Sequence, residues 1–124
     1  MARTRTISIL ALLSLAGCQT AAAPDPGAAL TLESSYRLIV NCFTDARPGA
    51  LVDRRVLRTG YAVTDVTLDP DTASAYRVTF NEVPVYRIAI TGQALGASAS
   101  QARWNGEVLP ALTSCNERAK RGDI

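Results

Sequence analysis

Apolar and polar residues follow three different rhythms along this chain. Residues 7–16 form an almost uncharged apolar run. Between residues 30 and 43, Leu32, Tyr36, Ile39, Val40 and Phe43 fall on one face at helical spacing. Tyr36, Leu38, Val40 and Cys42 also alternate as a strand would, and the pattern leans to a helix. Pro48 and Gly49 interrupt it. Residues 50–58 then read as a short second helix with Leu51, Val56 and Leu57 inward and Asp53, Arg54 and Arg58 outward. Gly60 is placed to end that helix, since glycine most easily takes a left-handed conformation.

Beyond Gly60 the period becomes two, the signature of half-buried strands. Residues 61–68 form one strand candidate, closed by the turn-forming Asp69-Pro70-Asp71. Tyr76, Val78 and Phe80 alternate with Arg77 and Thr79. A turn near Asn81-Glu82 returns the chain through residues 83–90, where Tyr86, Ile88 and Ile90 share a face. Pro84 has no N–H for a ladder, which puts the start of that strand at an edge or a bulge. Tyr-Arg-Val-Thr at 76–79 and Tyr-Arg-Ile-Ala at 86–89 suggest two paired strands. Asn105-Gly106, between Arg103-Trp104 and Glu107-Val108-Leu109, carries a hairpin signal because both residues tolerate positive φ. The expected fold is α+β: one small domain with one or two N-terminal helices, followed by an antiparallel sheet of about four to five strands.

The N-terminal run has Arg3 and Arg5 before it and Leu15-Ala16-Gly17-Cys18 after it. It is shorter than the roughly 20 apolar residues needed to span a bilayer, so it reads as a signal peptide. Leu-Ala-Gly-Cys resembles the lipobox of bacterial lipoproteins. That resemblance implies cleavage before Cys18 and a covalent lipid there, N-acyl and S-diacylglycerol, as the membrane anchor. An ordinary secretory signal with an incidental cysteine is the alternative. Gln19 in place of an aspartate implies, by the same resemblance, sorting to the outer membrane, with the domain facing the periplasm. The expected organisation is residues 1–17 as signal, 18–29 as a flexible tether rich in small residues and proline, 30–116 as the folded domain, and 117–124 as a basic disordered tail.

Cleavage changes the charge. Arg3 and Arg5 leave with the signal, so thirteen basic residues fall to eleven, equal to the eleven acidic ones. No basic footprint for nucleic acid remains. Export also places Cys42 and Cys115 in an oxidising compartment, where pairing is the simplest arrangement. The bridge would close a loop of about 73 residues and stabilise the fold by up to roughly 4 to 5 kcal/mol in the chain-entropy picture. A redox pair or metal site is disfavoured by the lack of Cys-x-x-Cys and of any histidine.

The same lack of histidine excludes Ser-His-Asp and Cys-His catalysis. Asp65, Asp69 and Asp71 could in principle supply a carboxylate pair, but a strand end followed by a turn explains them better. Asp69-Pro70-Asp71 lacks the glycine and distal glutamate of a calcium loop, and no phosphate-binding glycine pattern precedes a helix. Arg121-Gly122-Asp123 spells an adhesion tripeptide that three letters produce easily by chance. No catalytic residue, metal, or small-molecule substrate is expected. Protein partners are expected instead, with Tyr76, Tyr86 and Trp104 as candidate contact residues beside an exposed sheet edge. For Trp104, packing over the small core competes with that role.

Residues 50–51 with Leu57-Arg58-Thr59-Gly60-Tyr61-Ala62-Val63, then Ala75-Tyr76-Arg77-Val78-Thr79, then Tyr86-Arg87 with Thr91-Gly92-Gln93-Ala94-Leu95, resemble the TrbH-type conjugal transfer lipoproteins. The resemblance covers about residues 50–96. Ala111-Leu112-Thr113-Ser114-Cys115 stands where that family has a tryptophan-containing end. The resemblance implies a non-catalytic assembly component of a conjugal transfer, type IV secretion-like apparatus, with channel subunits as partners. A free-standing envelope lipoprotein that binds or inhibits a periplasmic protein or glycan is the alternative.

Overall fold

The computed structural model describes residues 27–99 and 102–124. The segment expected to be a signal peptide, Cys18 and most of the expected tether therefore lie outside the described residues. The domain is a small α+β unit with an antiparallel five-stranded sheet and two helices. In chain order these are β1 (Ala29–Leu32), α1 (Tyr36–Asp45), β2 (Leu51–Val56), β3 (Ala62–Leu68), β4 (Tyr76–Val83), β5 (Arg87–Ala94) and α2 (Leu109–Arg121). One π turn, Trp104–Val108, leads into α2. The sheet order is β1-β5-β4-β3-β2, so β2 to β5 form a meander and α1 carries the chain from one edge strand to the other.

Both helices cover the same face of the sheet. Alternation along β3, β4 and β5 sends Val66, Leu68, Tyr76, Val78, Phe80, Ile88 and Ile90 to that face. They meet Ile39 and Phe43 of α1 and Trp104, Val108 and Leu112 around α2. Phe43 packs on Phe80 with ring centroids 5.5 Å apart and planes tilted 59°. Cys42 and Cys115 form a disulfide with Cα atoms 5.9 Å apart, which ties α1 to α2. Gly92 makes close packing possible: a Cβ there would stand 2.8 Å from Trp104 Cε3 and strike the Tyr76 ring.

Several expected elements have moved, each for a local reason. The helical face predicted for residues 30–43 starts only at Tyr36, where the Ser35 Oγ accepts from Leu38 N at 3.4 Å as an N-cap. Residues 29–32 before it pair with β5 as a strand, and Ala28 is buried, so the fold begins inside the expected tether. Residues 51–56 are a strand and not the predicted second helix. Gly60, with φ +92°, turns the β2–β3 hairpin instead of ending a helix.

The β4–β5 turn falls at Pro84-Val85-Tyr86, later than Asn81-Glu82, which continue the β4 ladder opposite Ala89 and Ile88. Asn105-Gly106 lies in the π turn and forms no hairpin. Pro110 follows it, lacking an N–H and crowding the carbonyl four residues earlier; the wider turn, closed by Leu109 N to Trp104 O, accommodates that. The predicted disordered tail is helical through Arg121. Gly122, at φ 77°, caps α2, with Asp123 N donating to Arg118 O at 2.8 Å.

Candidate binding site

A cleft rich in charged side chains lies where β4 turns into β5 and α1 begins. It is a cleft of about 390 Å³ on the helix-covered face. Arg37 enters from the first turn of α1, Arg54 from β2, and Arg87 from the start of β5. Ser34 and Ser35 line its floor beside the helix start, and Tyr61 and Tyr86 form part of the wall. Glu82 is the only carboxylate in the lining, and its Oε1 accepts from Ala62 N at 2.9 Å. Three guanidiniums and the positive end of a helix against one carboxylate make the cleft suited to an anionic group or an acidic chain segment.

The chain reaches this arrangement through its turns. Ser34 and Ser35 sit between β1 and α1, where a strand must give way to a capped helix. Tyr86 stands in the tight β4–β5 turn at φ 59°, a conformation a bulky side chain rarely adopts, and its ring is 68% exposed. Val85 beside it is 81% exposed. Arg87 braces this turn by donating from Nε and Nη2 to Pro84 O at 3.3 and 3.1 Å. Tyr36 also borders the cleft and hydrogen-bonds Thr64. Burial pushes its hydroxyl above the ordinary tyrosine value, outweighing that hydrogen bond and the nearby Arg54 charge.

Of the three aromatic residues expected to contact a partner, only Tyr86 is on the surface. Tyr76 is fully buried and Trp104 is 1% exposed. Tyr76 faces inward because β4 alternates, and Trp104 because the π turn sets it against Gly92 of β5. Both belong to the core, which corrects the expectation that they form a docking surface.

The aspartates are held apart by separate partners. Asp65 lies on the uncovered face of β3, where its Oδ1 accepts from Thr79 at 2.6 Å and its Oδ2 from Arg55 at 2.7 Å. Burial opposes its charge, but these two hydrogen bonds and the guanidiniums of Arg55 and Arg77 prevail and hold the carboxyl below its ordinary value. Asp69 binds Arg103 at 2.8 Å, and Arg103 also reaches Glu107 at 2.9 Å and Ser74 O at 2.7 Å. These bonds lock the β3–β4 loop to the start of the C-terminal helix. Arg121 and Asp123 pair with each other across the α2 cap at 2.9 Å.

Sequence reading missed the arginine cleft because Arg37, Arg54 and Arg87 are far apart in the chain and none belongs to a motif. The exposed strand β2 was the other omission. The interval between Pro48-Gly49 and Thr59-Gly60, two turn signals about ten residues apart, was its available cue. Among the described residues, no group of three His, Cys, Asp or Glu side chains is placed to hold a metal ion, and no helix is long and apolar enough to cross a membrane. No protein-family model matches the chain, and no curated protein shows significant similarity to it.

Proposed function

We propose that this chain is a lipoprotein anchored through Cys18 to the outer membrane, with its domain in the periplasm, and that it serves as a non-catalytic assembly component of a conjugal transfer apparatus. The observation that carries the reading is the N-terminal order: Arg3 and Arg5, the apolar run, then Leu15-Ala16-Gly17-Cys18. The TrbH-type resemblance over residues 50–96 supplies the apparatus. The arginine cleft bordered by Tyr86 supports action by binding, since it offers an exposed aromatic ring beside three cations. A protein segment bearing carboxylates is the partner chemistry that suits it.

Two measurements test this reading. Cys18→Ser releases the protein from membranes and abolishes acyl labelling; unchanged membrane association refutes the anchor. A photo-crosslinker at Val85, beside Tyr86, in cells with an active transfer channel captures channel subunits. Capture of a periplasmic enzyme or a glycan in their place overturns the assembly role in favour of a free-standing binder or inhibitor.

A further inference from the structure

β2 is an edge strand whose six residues are all exposed. Leu51, Val52, Val56 and Leu57 are 58%, 53%, 65% and 45% exposed, four of the seven large apolar side chains standing exposed among the described residues. An open edge of this length needs a cover or a deterrent. The opposite edge, β1, is only four residues long.

The direction of the free backbone groups on β2 follows from its pairing. Leu57 N donates to Tyr61 O at 2.8 Å, and the β2–β3 register runs without a break from Leu51↔Thr67 to Val56↔Ala62. Antiparallel residues alternate between those that exchange hydrogen bonds with the neighbouring strand and those turned away. Leu51, Asp53, Arg55 and Leu57 are therefore turned toward β3. The N–H and C=O groups of Val52, Arg54 and Val56 face the open side.

Residues 51–57 read Leu-Val-Asp-Arg-Arg-Val-Leu, a near-palindrome centred on Arg54. We propose that the occupant of this edge is a second copy of the same strand, joined about a two-fold axis through Arg54 into a continuous antiparallel sheet. In that register Val52 lies opposite Val56 of the second copy on the helix-covered side. Leu51 lies opposite Leu57 on the other side. Asp53 lies opposite Arg55, so each copy supplies both members of a cross-strand ion pair. Arg54 meets its own copy at the axis, and the three outward-facing residues of each strand form about six backbone hydrogen bonds.

The charges distinguish this partner from a generic strand. Asp53 is 78% exposed and stands 3.7 Å from Arg55 in its own chain, leaving it available to the guanidinium opposite. Arg55 already holds Asp65, so it is presented on the face where Asp53 of the second copy arrives. The single like-charged pair is Arg54 with Arg54. Each Arg54 lines its own cleft together with Glu82, over its own sheet. The dimer is independent of the lipid anchor and of the transfer apparatus.

The full chain, purified, is tested by sedimentation equilibrium, and in cells by a short bismaleimide acting on Arg54→Cys, with Thr31→Cys on the β1 edge as control. A dimer by sedimentation, and a covalent dimer from Arg54→Cys but not from Thr31→Cys, are expected. Asp53→Arg places two like-charged pairs across the axis and weakens dimerisation about tenfold. Arg54→Pro abolishes it while sparing the β2–β3 ladder, to which Arg54 N–H does not contribute. Mixing Asp53→Arg with Arg55→Asp restores a heterodimer, because each charge then meets its opposite. A monomer at all concentrations, a dimer indifferent to Asp53→Arg and Arg54→Pro, or crosslinks from position 54 only to other proteins would each overturn the proposal.

Discussion

The Arg55 guanidinium lies 2.7 Å from the Asp65 carboxylate across the β2–β3 ladder, and Thr79 reaches the same carboxylate from β4 at 2.6 Å. One side chain thus links three strands on the face that no helix covers. Asp65 titrates below its ordinary value in the folded protein, so the unfolded chain binds its proton more readily. Its contribution to stability is complete above the unfolded value, near pH 4, and is lost as pH falls through the folded one. Asp65→Asn should therefore destabilise the protein by about 1 kcal/mol at pH 7. The difference from the parent should shrink steadily below about pH 4. Urea unfolding of both proteins at pH 7 and pH 3 checks this; an equal difference at the two pH values would show that the carboxylate charge is not the cause.

The Cys42–Cys115 bridge spans 73 residues and joins the two helices. Chain entropy gives such a loop at most about 4 to 5 kcal/mol. Reduction, or Cys42→Ala with Cys115→Ala, should lower the urea midpoint substantially without changing the elements of the fold. The sheet ladders and the Phe43–Phe80 contact do not run through the bridge, so circular dichroism in the absence of urea should be nearly unchanged. Coincident midpoints for oxidised and reduced protein would rule the bridge out as a stabiliser.

Gly92 leaves room for Trp104 and Tyr76 on the helix-covered side of β5. A methyl group there must displace the indole or the phenol, and overpacking of this kind costs about 1 to 3 kcal/mol. Gly92→Ala is expected to lower the melting temperature and to shift the emission of Trp104, the chain's single tryptophan, to longer wavelength. Unchanged emission together with unchanged stability would mean the indole does not pack on β5.

The sequence made the period-two strands readable because each buries one face: Val66, Val78 and Ile90 alternate with Asp65, Thr79 and Thr91. It left β2 ambiguous for the opposite reason. Both of its faces stay exposed, so no alternation was imposed, and Leu51-Val52-Asp53-Arg54-Arg55-Val56 fits a short amphipathic helix equally well. Asn105-Gly106 carried a genuine turn propensity, but Trp104 and Val108 on either side bury their side chains in the core, and that packing outweighed it. The disulfide was legible because it required only the expectation of export and a count of cysteines. The cleft was not, since its charges converge only when β2, β5 and the start of α1 are brought together.

Tyr86 and Trp104, paired in the sequence reading as contact residues, should separate cleanly by experiment. Trp104 is 1% exposed, and its truncation to alanine should cost about 3 to 5 kcal/mol, as for other buried aromatics. Tyr86 is 68% exposed at φ 59°, where a side chain adds strain and little packing. Tyr86→Gly removes that strain but frees the unfolded chain, two effects of about 1 kcal/mol each and opposite sign. Its melting temperature should therefore stay close to the parent's, while capture of a partner at the arginine cleft should fall. Thermal scans of both variants, with crosslinking yield measured from position 85, provide the comparison. A large loss of stability in Tyr86→Gly would assign that ring to the fold, and full crosslinking yield would remove it from the binding surface.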